Sequence, residues 1–370
     1  MQAQVETQVL REAVNKVLSV VDKKNTRPIL TYTLVEARDG YLSFSATDLE
    51  VSAKLSVPAQ INEEGSFCVN AKNLSDILRE LPNGSLSLTI DSSENILKIN
   101  SGKIDFKLLI YKNEDYPQLT FSNVDNQFEI SSAEVLEIIQ KTSHAISADE
   151  TRLYLNGIYL QEIDSKLRAV ATDGHRLSLI DTEVDNIHND NLVNGIIIPR
   201  KGVNELKKLA ETSEAPITLS MDESFLYAHS GTEYYLSVRL ISREYPKYQA
   251  VIPAKTTFLM TADKNTLFNA VRRIKIMSHE KSNGIRVNLT AGELTITANH
   301  PSLGDAREKI SVDYDGKEME IGFNAKYLID TLSIVDDGDI SFELNNEISP
   351  VVVKSSNHPN YLGIIMPLKL

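Results

Sequence analysis

Apolar positions along the chain follow two rhythms, a helical spacing of three and four and an alternating spacing of two. Leu10, Val14, Val17 and Val21 share one helical face. Val135, Ile138, Ile139, Thr142 and Ile146 repeat the pattern behind Ser131 and Glu134, a capping-box pair. Leu267, Ala270, Val271, Ile274 and Met277 repeat it again behind Asp263, whose carboxylate suits an N-cap. Each third then predicts a second helix. Leu74, Ile77, Leu78 and Leu81 follow Asn70-Ala71-Lys72; Val203, Leu206 and Leu209 follow Pro199-Arg200-Lys201; Leu328, Leu332 and Val335 follow Asn324-Ala325-Lys326.

Between these helices lie short alternating runs that predict strands: Tyr41 to Ala46, Leu86 to Ile90, Ile96 to Asn100, Tyr154 to Leu160, Ile217 to Met221, Tyr235 to Leu240, Val287 to Leu289, Ile340 to Leu344 and Val351 to Lys354. Asp39-Gly40, Asn83-Gly84 and Asp337-Gly338 are turn signals. Strands come in runs and outnumber helices, so the expected class is α+β with antiparallel sheet.

The chain also repeats itself. VATDGHRLSL, Val170 to Leu179, breaks a strand-like run with a polar turn; LSFSATDL (from Leu42) and LTITANH (from Leu294) echo it. Thr47, Thr172 and Asn299 are 125 and 127 residues apart, and Ala71, Arg200 and Ala325 are 129 and 125 apart. Landmarks kept in step over a chain of 370 residues predict three copies of one module. Asp115-Tyr116-Pro117 and Glu244-Tyr245-Pro246 mark connectors, since proline extends the residue before it. The expected domains are 1–125, 126–252 and 253–370.

Composition narrows the function. Hydrophobic content of 42% and charged content of 24% are those of an ordinary globular protein. A single cysteine, Cys68, excludes an internal disulfide framework and suits a reducing compartment. No leader pattern opens the chain and no apolar run approaches membrane-spanning length, so a cytoplasmic protein is expected. The net charge of −13 argues against a generic basic coat for nucleic acid. That charge is unevenly spread, however. Segments 6–24, 71–81, 131–146, 199–210, 263–277 and 324–335 hold sixteen Lys plus Arg against ten Asp plus Glu, leaving −19 on the rest of the chain. If the six helices share a surface, that surface is positive and the outside strongly negative. Lys and Arg are good helix formers in any context, but Glu is equally good and is under-used here.

VATDGHRLSL, IIIPRKGVNELKKL (Ile196 to Leu209), IGFNAKYLIDTL (Ile321 to Leu332) and the terminal YLGIIMPLKL resemble the bacterial DNA polymerase III beta subunit family, the sliding clamps, over the whole chain. The resemblance implies a head-to-tail homodimer closing into a ring, helices lining the hole and sheets outside. It implies sequence-independent engagement of duplex DNA, with no cofactor, no metal and no membrane. It also implies partners held through short peptide motifs: the replicative polymerase alpha subunit, the clamp loader, repair and translesion polymerases, ligase and mismatch-repair proteins.

By the same resemblance, Leu155, Thr172, Gly174, His175, Arg176 and Leu177 line one side of a peptide pocket between the second and third domains. Pro246, Val251, Asn324, Tyr327, Ile348, Pro350, Ile364, Ile365, Met366, Pro367 and Leu368 line the other. An apolar cleft with a few polar groups and an adaptable methionine suits peptides with Leu and Phe anchors. Lys24, Arg152, Tyr154, Arg272 and Arg273 are the DNA-facing candidates, and Phe106, Leu108, Ile276 and Met277 the interface candidates. Ser282 stands where the family often has an aromatic, and Ala250 where it often has a basic residue, so peptide preference is open.

Two other readings compete. Asp173 beside His175 suits acid–base hydrolysis, although no nucleophile motif accompanies them and the Thr47-Asp48 echo lacks the histidine. A repeat-built protein scaffold that never meets DNA is the other. The seven histidines, His144, His175, His188, His229, His279, His300 and His358, show no metal-ligand spacing, and no phosphate-binding loop for ATP is present.

Overall fold

The computed structural model describes residues 1–21, 27–91, 94–121, 127–187, 189–231 and 233–369. Every strand pair in it is antiparallel. The chain forms two compact units. One comprises Met1–Val135, His188–Asn191 and Lys201–Leu240; the other comprises Leu136–Ile187, Leu192–Arg200 and Ile241–Leu370.

The α-helices among the described residues are α1 (Thr7–Leu18), α2 (Ala71–Glu80), α3 (Ser132–Thr142), α4 (Asp190–Asn194), α5 (Arg200–Thr212), α6 (Lys264–Lys275) and α7 (Ala325–Ser333). Six of them are the helices that the apolar spacing predicts. Leu10, Val14 and Val17 are buried on α1, Val203, Leu206 and Leu209 on α5, and Leu267, Ala270, Val271 and Ile274 on α6. Their starts are chemically fixed. Ser131 and Glu134 form the reciprocal capping box, with backbone N–H donation of 2.9 Å to the Glu134 carboxylate and 3.2 Å to Ser131 Oγ. Asp263 accepts from the Thr266 N–H at 2.7 Å, and Asn70 and Asn324 cap α2 and α7 in the same way. The five-residue α4 carries no amphipathic stripe and is not legible from spacing.

In the first unit a 13-stranded sheet carries α1 and α2. Strand Val51–Pro58 pairs on one side with Tyr41–Thr47 and on the other with Tyr234–Arg239, from much later in the chain. In the second unit an eight-stranded sheet joins Arg176–Glu183 to His358–Ile365 in the same way, and a four-stranded sheet runs from edge strand Gly304–Ser311 to Met319–Asn324.

One predicted strand is corrected. Tyr154 and Leu155 belong to a 3-10 turn, Leu153–Leu155, and the strand is Gly157–Ile163. Gly157 opens it because its backbone passes against the Ile198 carbonyl, leaving no room for a Cβ.

Candidate peptide-binding groove

The turn at the centre of VATDGHRLSL lies in the second unit and is held by its own side chains. Thr172 Oγ1 donates to the Arg176 carbonyl at 2.6 Å and accepts from the Gly174 N–H at 3.1 Å. Asp173 Oδ1 accepts from the backbone N–H groups of His175 (2.9 Å) and Arg176 (3.1 Å), and its Oδ2 accepts from Arg176 Nε at 3.1 Å. Gly174 has φ +90°, a left-handed conformation that glycine adopts without strain. The Asp173 carboxylate thus accepts three hydrogen bonds within its own turn, none of them from the His175 ring.

Arg176 is 6% exposed, and four groups surround its guanidinium. It donates to Asp173, to Asp330 Oδ2 at 2.7 Å and to the His144 carbonyl at 2.5 Å, and lies 4.5 Å from the Tyr327 ring centre. His175 stacks on the same ring at 6.2 Å and 17°. Burial by itself would raise the Asp330 carboxyl, but hydrogen bonds from Lys326 and Arg176, and their charges, outweigh it and hold the group below the usual carboxylate range. Burial, with the Arg176 charge behind it, pushes His144 down to about 4. Spacing carries no sign of the contacts with Asp330 and His144, because both reach Arg176 only through the fold.

The floor is apolar. Leu155, Leu177 and Ile364 pack with Val170, Leu179, Val352, Tyr245 and Tyr248. Leu177 sits across from Ile364 in the sheet, and Arg176 across from Ile365. Strand alternation sends neighbours to opposite faces, so Ile365 points away from the face that carries Leu177 and Ile364. It is fully buried in a different cluster, with Val351, Val353 and Tyr361.

The remaining candidates are half-buried or exposed. Met366, Pro367 and Leu368 are half-buried, fixed by Met366 N–H donation to the His175 carbonyl (2.9 Å) and Leu368 N–H donation to the Gly322 carbonyl (2.8 Å). Pro246 follows buried Tyr245, Val251 ends the turn that begins at Tyr248, and Pro350 precedes the strand carrying Val352. Val251 and Ile348 are large apolar side chains left 41% and 73% exposed. Asn324 and Tyr327 come from the start of α7. Ser282 is exposed, its hydroxyl accepting from the Gly284 N–H, and Ala250 is exposed too.

Arg152 lies beside the Gly174 turn. It pairs with Asp149 at 2.8 Å, and its Nη1 lies 3.0 Å from where a Gly174 Cβ would stand. Tyr154 packs half-buried against the same apolar cluster. Of the other DNA-facing candidates, Arg272 is exposed with its guanidinium 5.5 Å from the Phe268 ring. Arg273 makes a fork with Glu308 at 2.9 and 2.5 Å. Lys24 lies outside the described residues, as does His188.

The interface candidates lie on or beside sheet edges. Phe106 and Leu108 are half-buried on strand Ile104–Tyr111, which also exposes Leu109 (74%). That strand meets Gly65–Asn70 only at residues 110 and 111, so 104–109 present a free edge among the described residues. Ile276 is 74% exposed, and Met277 reaches to within 3.8 Å of the Gly304 Cβ position at the start of edge strand Gly304–Ser311. Among the described residues no three His, Cys, Asp or Glu side chains are placed to hold a metal ion, and no helix is long and apolar enough to cross a membrane.

Helix pairs on antiparallel sheets, repeated along the chain, with a groove beside an internal Thr-Asp-Gly turn, define a DNA-clamp scaffold. The chain belongs to the DNA polymerase III beta subunit family: its N-terminal domain model matches residues 1–120, its central domain model 129–247 and its C-terminal domain model 249–369. The beta sliding clamp of Caulobacter vibrioides is 34% identical over 375 residues, covering 100% of both chains. That of Escherichia coli K12 is 30% identical over 367 residues, covering 99% of both. A crystal structure of the Caulobacter crescentus beta sliding clamp superimposes with a TM-score of 0.95 at 34% identity over 100% of both chains. The Bartonella birtlesii clamp bound to griselimycin does so with a TM-score of 0.94 at 30% identity, again over 100% of both.

Proposed function

We propose that this protein is a sliding clamp that encircles duplex DNA as a head-to-tail homodimer and tethers the replicative DNA polymerase for processive synthesis. The observation that carries the reading is the groove built around Leu177 and Ile364 and stiffened by Arg176, in a chain that matches the clamp family from end to end. An apolar trough edged by His175, Tyr327 and Met366 takes extended peptides with apolar anchors. The proposed ligands are short motifs of the polymerase alpha subunit, clamp loader, repair and translesion polymerases, ligase and mismatch-repair proteins.

Clamp domains at 1–125, 126–252 and 253–370 are part of this reading. The free edge at 104–109 and the exposed Ile276 beside Gly304–Ser311 support ring closure by edge-to-edge contact, with Phe106, Leu108, Ile276 and Met277 at the seam. The excess of Lys and Arg on the helices supports a cationic lumen, and Lys24, Arg152, Tyr154, Arg272 and Arg273 are the residues proposed to meet DNA. Loose, sequence-blind phosphate contacts permit sliding, and retention is topological. The protein works in the cytoplasm and catalyses nothing itself; the three hydrogen bonds that tie Asp173 into its own turn support that side of the reading against hydrolysis by Asp173 and His175.

Loading onto nicked circular DNA tests it. The protein should stay on the closed circle in high salt and run off once the circle is cut. Equal retention on circle and line would remove topology as the mechanism.

A further inference from the structure

The first unit contains a cleft of about 190 Å³ whose wall reproduces the groove of the second unit position by position. Thr47 Oγ1 donates to the Val51 carbonyl and accepts from the Leu49 N–H, while Asp48 Oδ1 accepts from the N–H groups of Glu50 and Val51. Thr172 and Asp173 make the same four bonds. Sheet register extends the match. Ser52 sits across from Ser237, where the other groove has Leu177 across from Ile364. Phe225 falls in the place of Pro350, and Pro117, after buried Tyr116, in the place of Pro246.

The chemistry of this second wall differs. Two serines replace the leucine and isoleucine of the floor. Ser237 is 4% exposed and lines the cleft. A hydroxyl on a cleft wall can donate to or accept from a polar group of a ligand. Leu49 occupies the place of Gly174 with φ +76° and is 39% exposed. A leucine in left-handed backbone is strained, so the rim side chain is kept there against a local preference. Around the rim, Glu50 takes the place of His175, and Asp222 and exposed Glu223 form the turn before Phe225; Arg239 takes the place of Met366, and Lys201 pairs with Asp48. Asp222 also accepts from the Tyr227 hydroxyl at 3.0 Å.

We infer that this cleft is a second peptide-docking site, taking an extended partner segment with a tyrosine anchor flanked by lysines. The phenol meets the Ser237 hydroxyl, the ring lies between Leu49 and Phe225, and the lysines face Glu50, Asp222 and Glu223. The inference rests on the reading of the first groove as a peptide site, since the two share one wall design.

The test uses the full-length protein carrying Met366→Asp, which disables the first groove, and a fluorescein-labelled Gly-Lys-Leu-Tyr-Lys-Gly peptide read by anisotropy. Saturable binding is expected, weakened at least about tenfold by Leu49→Gly, a change that relieves backbone strain and so keeps the fold. A peptide with Phe for Tyr should bind several-fold more weakly, and Ser237→Ala should erase that difference. Absence of saturable binding, binding present in the unsubstituted protein but lost with Met366→Asp, or indifference to both Leu49→Gly and Ser237→Ala would overturn the proposal. A Gln-Leu-x-Leu-Phe peptide on the unsubstituted protein is the separate control. Its failure to bind would count against the first groove, whatever the tyrosine peptide does.

Discussion

The Arg176 guanidinium lies 4.5 Å from the centre of the Tyr327 ring while it donates to Asp330 one turn further along the same helix. One side chain thus fixes the position of an aromatic groove wall and neutralises the carboxylate beneath it. Arginine suits the task because its planar fork can stack and donate at once, which a lysine ammonium cannot.

Removing that fork should be expensive. Arg176→Ala leaves Asp173 without its guanidinium and Asp330 with Lys326 alone, and breaking a buried pair costs about 3–5 kcal/mol. Urea unfolding should show that loss, with peptide affinity falling as well. Arg176→Lys should restore part of the stability but not the ring contact. A loss below about 1 kcal/mol in the alanine variant would mean that the cluster is ornamental.

The groove can be disabled without disabling the fold if the right residue is chosen. Met366 is half-buried, so Met366→Asp should keep the melting temperature within a few degrees and weaken a Gln-Leu-x-Leu-Phe peptide more than about tenfold, some 1.4 kcal/mol. Leu177, at 3% exposure, belongs to the packed floor, and Leu177→Asp should lower stability together with binding. Calorimetric titration and a melt on the same samples separate the two effects.

Acid should loosen the second unit through His144. Its folded value, about 4, lies below the unfolded value of 6.5, so the unfolded chain binds the proton first. Stability from this group is complete above about pH 6.5, falls as pH drops towards 4, and is level below that. The loss comes to about 3 kcal/mol at most. Denaturation midpoints of the protein and of His144→Asn, followed across that range, should converge as the pH falls; parallel curves would exclude the histidine.

Lumen charge should govern encounter more than retention. Arg272→Glu with Lys275→Glu should lower initial DNA association and flatten its salt dependence by about 0.9 log units per lost phosphate contact. Residence on a closed circle, once loaded, should hardly change. Filter-binding across a salt series measures the first quantity and a circle-retention assay the second.

Ring closure predicts a solution mass of twice 41.2 kDa. Leu109→Glu with Ile276→Glu places charge on the two most exposed apolar positions beside the sheet edges and should halve that mass without altering the melt of the separated protomer. Light scattering with in-line chromatography reads it directly.

Much of this was visible in the sequence where local rules operate. Caps at Asn70, Asp263 and Asn324, and helix faces such as Leu10, Val14 and Val17, depend on neighbours three and four residues away, and spacing reveals them. Strand Gln2–Glu6 was not visible, since Ala3 and Val5 are its only buried positions and glutamines flank them. The groove was legible as a family pattern but not as geometry. Which of Ile364 and Ile365 faces the peptide depends on strand phase, and the Arg176 contact with Asp330 spans 154 residues. The approach of Arg152 to Gly174 is likewise a product of the fold, since nothing in the spacing of the two residues brings them together.

The sheets continue across the borders of the family regions. Val51–Pro58 exchanges ladder bonds with Tyr234–Arg239, and Arg176–Glu183 with His358–Ile365. Cutting the covalent chain between two regions would therefore leave the pieces still zipped together along their backbones. Fragments produced separately should find each other and complement, so that a split reporter could be built from this protein with no added dimerisation tag.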